Sequence, residues 1–507
     1  MRGAFVLCAL TAYVGAIQGY AQIQDVKLQE RETVQPDRPT QKPPCFAPDL
    51  SVPQLDTTDT ARTADAHTHN LVSQASNFST ASSGSEMDCD GSQALLKDEW
   101  PADPQPASVA VAESALPQDG PPTPPPPEPE VTKPEFEIYG FAMLDMGYDF
   151  GQVNPDWFDV ERPTQLPAFT NEYGHNGNLY AGVRQTRFGV KSLVPTKLGQ
   201  LKTVFEFELF GVGVDAGQTT FRLRHAYGEL GEFLAGQTWS PYMDPDVFPN
   251  SIEYWGPNGM VFFRNVQFRW QPVHNGNHQV MIALERPGAS ADLQSVQDLY
   301  ILQGVQFRFP APDVSARVRY GGKRTYIQLA GIYRYIRWDD NAPTALTNLS
   351  GHTNGWGAHV SSNVGFGAKD TLKMSIKYGA GDENYMNDAP VDVAPKLTTN
   401  IHTPLTGEPL PNFGIVAFYD HYWNKKWSSS VGYSLLNMTN ATLQVPDSFR
   451  RGMYGLANLL YYPVDNVMAG GEFIWGRRDN FTDGWVYNDY RIQFSFRYNF
   501  SFKFGGS

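Results

Sequence analysis

From Phe136 the chain alternates with a period of two. Phe136, Ile138, Gly140, Ala142, Leu144, Met146, Tyr148 and Phe150 hold the even positions, and the odd set carries Glu137, Asp145 and Asp149. Such alternation belongs to a strand with one apolar and one wetted face. The far end repeats it without a miss. Tyr490, Ile492, Phe494, Phe496, Tyr498, Phe500, Phe502 and Phe504 interleave with Arg491, Gln493, Ser495, Arg497, Asn499, Ser501 and Lys503. Between these ends lie similar segments at 179–191, 201–210, 221–230, 232–237, 261–271, 279–285, 301–309, 314–321 and 326–338. They continue at 355–366, 371–381, 413–422, 426–435, 453–462 and 467–477. The total is about seventeen, and because single-chain bacterial barrels have an even number of strands the expectation is sixteen.

A soluble sandwich also alternates, but its strands are mostly five or six residues long and its apolar face closes on a second sheet. Segments of this length with aromatics along the whole outer set call for lipid instead. The predicted fold is all-β, a transmembrane antiparallel β-barrel, with Trp239, Trp255, Trp270, Trp338, Trp423, Trp427, Tyr461 and Tyr462 as interfacial girdles. No window approaches eighteen consecutive apolar residues, which argues against helical spans.

Composition divides the chain. Residues 22–133 hold 17 of the 38 prolines, 18 acidic against 7 basic residues, and three aromatics, Phe46, Phe78 and Trp100. A stretch so poor in apolar surface is expected to be a disordered periplasmic tail. It ends in the run Pro121-Pro122-Thr123-Pro124-Pro125-Pro126-Pro127-Glu128-Pro129, which reads as a polyproline II spacer. Ahead of it, Met1 and Arg2, the apolar residues from Ala4 to Ile17 and the small residues Gly19 and Ala21 predict a signal peptide over 1–21. The barrel is assigned to 134–507. The three cysteines, Cys8, Cys45 and Cys89, all precede it, so it contains no disulfide and no thiolate metal site. Its charge is 31 basic against 35 acidic residues, and the absence of a basic block excludes nucleic acid as a partner.

A barrel of this size encloses water, so its chemistry lies on inward side chains and on any loop folded into the lumen. Parity points Glu206 and Glu208 inward, opposite Phe205, Phe207 and Leu209, and likewise Arg222 and Arg224. The same rule assigns Arg187, Arg269, Arg308, Arg317, Arg319, Arg334, Lys373, Lys377, Arg491 and Arg497 to the lumen. Guanidinium groups suit bidentate capture of carboxylates, and rings of Arg and Lys select anions. The bland alternative is that these cations pair with Glu206, Glu208, Asp145, Glu472 and loop acids and brace the wall.

One stretch interrupts the strand rhythm. Pro241, Pro245 and Pro249 prevent pairing between Gly236 and Arg264, and Phe248, Ile252, Tyr254 and Trp255 are too apolar for a free external loop. A constriction loop at about 238–262 is expected, with Trp239, Tyr242, Asp244, Asp246, Phe248, Glu253, Tyr254, Trp255 and Arg264 as its functional residues. A packing role against a neighbouring subunit is the alternative.

The signature Phe221-Arg222-Leu223-Arg224-His225-Ala226-Tyr227-Gly228-Glu229, then Gly236-Gln237-Thr238-Trp239, then Glu253-Tyr254-Trp255-Gly256-Pro257-Asn258-Gly259-Met260-Val261-Phe262-Phe263-Arg264-Asn265, resembles the DcaP-like outer-membrane porins. The resemblance covers 179–191 and, loosely, the rest of the barrel. It implies a homotrimer of sixteen-stranded barrels in the bacterial outer membrane, passing small anionic solutes, dicarboxylates in the type member. The Pro-rich tail stands where the family carries an N-terminal helical segment, and Gly505-Gly506-Ser507 follows the last aromatic.

No zinc-protease helix motif, phosphate-cradling lysine loop or nucleophile elbow is present, so no enzyme, catalytic residue, cofactor or metal is expected. The leading expectation is a passive porin for small hydrophilic, carboxylate-bearing solutes, in contact with lipid and lipopolysaccharide. The alternatives are a structural or tethering barrel acting through a periplasmic or cell-wall contact of its tail, and a hydrolase using wall Ser and His.

Overall fold

The computed structural model describes residues 133–506 except 276 and 323. The expected signal peptide, the acidic tail up to residue 132, its cysteines and its polyproline run lie outside the described residues.

Alternating segments form strands because each buries one face inside the barrel and offers the other to lipid. In chain order they are β1 (Glu135–Asp149), β2 (Asn178–Gly182), β3 (Arg187–Thr196), β4 (Gly199–Phe210), β5 (Thr219–Leu230), β6 (Phe233–Trp239) and β7 (Arg264–His274). There follow β8 (His278–Glu285), β9 (Val305–Arg308), β10 (Asp313–Gly321), β11 (Tyr326–Asp340), β12 (Gly351–Phe366) and β13 (Asp370–Ala380). The last are β14 (Val393–Leu397), β15 (Leu405–Pro409), β16 (Pro411–Asn424), β17 (Trp427–Met438), β18 (Phe449–Tyr461), β19 (Val467–Asn480) and β20 (Val486–Gly505).

Eighteen of these form one sheet, while β14 and β15 pair with each other in a separate two-stranded sheet. Both β2 and β3 pair with β1, and both β9 and β10 flank β11, so each couple is a single wall strand with a break. The wall therefore has sixteen antiparallel strands. It closes where β1 runs against β20 from Glu135↔Gly505 to Asp149↔Arg491. The surplus segment in the sequence is explained by Pro310 and Pro312, which lack the N–H needed for the ladder and split one strand into β9 and β10.

Connections alternate in length. Short turns at 197–198, 231–232, 275–277, 322–325, 367–369, 425–426 and 462–466 share one end with the start of β1 and the end of β20. The other end carries the loops 150–177, 211–218, 240–263, 286–304, 341–350, 381–410, 439–448 and 481–485. No helix among the described residues is long and apolar enough to cross a membrane; the strands do so.

The outer face is apolar, with Phe205, Phe221, Phe268, Leu329, Val431, Phe494 and Phe496 exposed. Trp270, Trp423 and Trp427 stand outward near the turn end, with Tyr461 against Trp427, and Trp356, Tyr378 and Tyr490 stand outward nearer the loop end. Four of the expected girdle residues are corrected. Trp239 at the end of β6 packs against the inner core, Trp255 bonds the loop backbone at Asn387, Trp338 is buried, and Tyr462 meets Asn250 of loop 240–263 and the buried Ser428, so all four follow the interior rather than the lipid boundary.

Loop 240–263 folds into the barrel. Its Tyr242, Met243, Val247, Met260 and Val261 are buried with Tyr385, Met386 and Ala394 of loop 381–410 and with Val416, Phe418, Leu436, Leu456 and Ile474 of the wall. Each such side chain removed from water contributes about 1.5–3 kcal/mol. The approach is close: a Cβ on Gly259 would lie 2.1 Å from the Leu435 carbonyl oxygen, so only glycine lets the loop lie on β17 there.

Candidate functional site

On β4 the inward positions are Glu206 and Glu208, since Phe205 is exposed on the outer face. Register then sets their neighbours. Arg187 on β3 and Arg222 on β5 both face Glu208 across the ladder. A register shift on the β4–β5 ladder pairs Glu206 with His225 and Phe207 with Leu223, so that Arg224 and His225 both turn inward. Strict alternation along β5 places Arg224 inside but misses His225, whose Nδ1 lies 3.0 Å from Thr238 Oγ1.

The result is four guanidinium groups around two carboxylates. Arg224 donates from Nε to Glu206 at 2.7 Å and from Nη1 to Glu208 at 2.6 Å. Arg187 lies 3.7 Å from Glu206 and 3.4 Å from Glu208, Arg222 3.7 Å from Glu208, and Arg264 3.6 Å from Glu208. Tyr139 donates to Glu206 at 2.8 Å, and the Tyr254 hydroxyl donates to Glu208. Counted formally, the cluster carries four positive and two negative charges. Its members differ in exposure. The side chains of Arg224 and Arg264 are 6% exposed, whereas those of Arg187 and Arg222 are 25% and 26% exposed. The first two brace the glutamates; the second two meet the lumen.

Besides Tyr254, loop 240–263 has further anchors on the wall. Asp244 accepts from Arg319 at 3.0 Å, from Tyr326 at 2.8 Å and from Ser361, and Asp246 meets Arg319 at 2.6 Å. Tyr242 donates to Asp382 at 2.9 Å. Phe248 packs on Phe262, and its carbonyl accepts from Lys373 at 2.6 Å. Glu253 is buried, accepting from Glu161 N at 3.1 Å and Tyr454 Oη at 3.3 Å. Its neighbour Tyr254 stacks on Phe210 at 4.0 Å and turns towards the arginine cluster. Trp255 lies under the Arg162 guanidinium at 4.2 Å.

The remaining sequence candidates fall into three groups. Arg269, Arg317 and Arg497 are partly buried on the inner face; Arg317 reaches Gln279 at 2.8 Å and Arg497 stands 5.6 Å over Phe141. Arg334, Lys373, Lys377 and Arg491 are spent on acids, with Arg334 on Asp313 and Asp392, Lys373 on Asp420, Lys377 on Asp382 and Arg491 on Asp149. Arg308 is a correction. It pairs with the outward Arg337, is 63% exposed and bonds Asp339 at the rim, because the break after β9 shifts the parity carried over from β10. Sequence reasoning passed over Arg162 of loop 150–177, which pairs with Asp388, and Arg184, which pairs with Asp159 of that loop. They lie outside regular strands, where parity has no purchase.

An inner wall of this kind, in a barrel of this strand number, can be set beside known proteins. The model of the DcaP outer membrane protein family matches residues 126–500. The chain belongs to this family. It is thereby an outer-membrane β-barrel. The crystal structure of the outer membrane channel DcaP of Acinetobacter baumannii is similar at a TM-score of 0.60 and 20% identity, covering 73% of this chain and 98% of that one. A loop L8 deletion mutant of OmpT of Vibrio cholerae is similar at 0.45 and 12%, covering 72% and 99%. An anion-selective porin from Comamonas acidovorans is similar at 0.44 and 11%, covering 73% and 100%. The sequence matches no curated protein. Within the DcaP family fold, loop 240–263 packs across the inner wall, and its Tyr254 joins it to the arginine cluster at Arg222 and Glu208.

Proposed function

We propose that this DcaP-family barrel is a passive channel for small hydrophilic anions, carboxylates in particular. The observation that carries the reading is the excess of two positive charges around Glu206 and Glu208, with Arg187 and Arg222 a quarter exposed to the lumen. Fixed cations between low-dielectric walls raise the local concentration of anions without tight binding, as a channel requires. Arg269, Arg317 and Arg497 extend the same field along the inner face, while loop 240–263 narrows the lumen with Asp246, Tyr254 and its apolar core. We further propose a homotrimer, as the resemblance to the DcaP-like porins implies, embedded in outer-membrane lipid and lipopolysaccharide. An even strand count returns the chain to its starting side, which supports a periplasmic tail. Reconstitution in planar bilayers with a KCl gradient is the test. A reversal potential of the sign for anion preference, and reduced current on adding succinate or acetate, are expected. A reconstituted folded barrel with no ion current would end this reading.

A further inference from the structure

At the loop end of the barrel, Asp149 closes β1, Asp489 stands near the start of β20, and Glu161 reaches them from loop 150–177. One carboxylate oxygen from each lies within 4.8 Å of the others, and all three residues are buried. Asp149 has partners: Gly151 N donates to Oδ1 at 3.0 Å and Arg491 Nη2 to Oδ2 at 2.7 Å. The other two do not. Both oxygens of Glu161 and both of Asp489 are sealed from solvent and without a hydrogen-bond donor, although each residue is 0% exposed.

Buried acceptors are almost always satisfied, and four unpartnered oxygens in one carboxylate cluster require a positive occupant or shared protons. Arg491 is the cation beside them, 3.9 Å from Glu161, so three carboxylates against one guanidinium leave a formal charge of −2. Two glycines keep the space open. A Cβ on Gly476 would lie 1.8 Å from Glu161 Oε1, and one on Gly151 would lie 2.2 Å from Asp489 Oδ1.

We propose that Asp149, Glu161 and Asp489 bind a hard divalent cation of the calcium class. Three carboxylates offer up to six oxygens, and flexible all-oxygen coordination is what calcium takes and what softer metals do not. A single ion would cancel the charge of −2 and satisfy the orphan oxygens together. It would also tie loop 150–177 to β1 and β20 at once. Because Glu161 N donates to Glu253, that tie continues into loop 240–263. Residue spacing carries no sign of this, since Asp489 on β20 is separated from Asp149 and Glu161 by most of the barrel and the three form no metal-binding motif.

The test uses full-length protein refolded in detergent without lipopolysaccharide, whose own cation sites would confuse the reading, and stripped with EDTA. Terbium chloride is titrated with excitation of tyrosine, Tyr487 being next to Gly151, and calcium chloride is then used to displace it. A saturable terbium signal, displaced by calcium, and a thermal unfolding midpoint raised by calcium are expected. Glu161→Gln and Asp489→Asn should each weaken calcium binding at least about tenfold, because affinity follows ligand charge. Glu383→Gln, at a buried carboxyl elsewhere, should leave it unchanged. If either ligand variant does not fold, Gly476→Ala, which fills the cradle without touching a charge, serves instead and should also weaken binding. Absence of a saturable signal in the folded parent protein, or unchanged affinity in the variants, overturns the proposal and leaves shared protons as the occupant.

Discussion

Replacing Arg187 and Arg222 together by Gln tests the electrostatic argument with little disturbance to the wall. Both side chains are only partly buried, and Arg224 still holds Glu206 and Glu208 at 2.7 and 2.6 Å. The cluster falls from two net positive charges to none. At about 6 Å in water each charge contributes ~0.7 kcal/mol, so two contribute ~1.4 kcal/mol to an anion and cost a cation the same. Screening at 0.1 M, with a Debye length of about 10 Å, reduces this to ~0.8 kcal/mol. With opposite signs for the two ions, the anion-to-cation permeability ratio should drop roughly tenfold. At 1 M the Debye length is about 3 Å, and the drop should shrink to about twofold. Reversal potentials of the parent and the double variant, measured in bilayers at matched gradients around both salt levels, give the ratios directly. An unchanged reversal potential at low salt in a folded variant, or a change of equal size at high salt, would refute the reasoning.

Other expectations follow from the same geometry. Arg224→Gln removes the brace between two buried carboxylates and should destabilise the barrel by about 3 kcal/mol or more, read as a lower temperature for the folded-to-unfolded shift on a semi-native gel; an unaltered temperature contradicts it. Gly259→Val puts a Cβ against the Leu435 carbonyl at 2.1 Å and should unseat loop 240–263, raising single-channel conductance; unchanged conductance would mean that the loop does not narrow the lumen. Burial, with Asp382 and Asp392 adding to it, holds the Glu383 carboxyl in loop 381–410 well above the ordinary range. Its neutral form is the one that suits the fold, so the cost is absent below the unfolded value of about 4.3 and grows as pH rises above it. Glu383→Gln should then raise the thermal midpoint at pH 8 and leave it unchanged at pH 4, and an equal shift at both pH values would count against this.

Much of the wall is legible in the amino-acid sequence. The runs at 136–150 and 490–504 became β1 and β20 because a strand between lipid and water must alternate, and that requirement is written residue by residue. Pro241, Pro245 and Pro249 likewise marked the stretch that leaves the wall and folds inside, since proline cannot pair in a central strand. Four features were not legible. The break at 183–186 that turns Arg184 towards Asp159, the inward turn of His225 beside Arg224, the β14–β15 hairpin inside loop 381–410 and the outward Arg308 all depend on register. A register shift changes which neighbours face a side chain without changing the composition around it.

The amino-acid sequence by itself determined the class of fold, the near count of strands and which residues could face water, because these follow from local periodicity and the chemistry of single side chains. Only the tertiary structure decided which charges are neighbours. Arg224 and Arg222 are equal in the sequence, yet one is sealed between two glutamates and the other faces the lumen. Asp149, Glu161 and Asp489 meet only because closure of the barrel brings β20 against β1 and folds loop 150–177 over the seam. Periodicity is a property of neighbours along the chain, whereas the net charge of a site is a property of neighbours across it, and barrel closure is what brings those together.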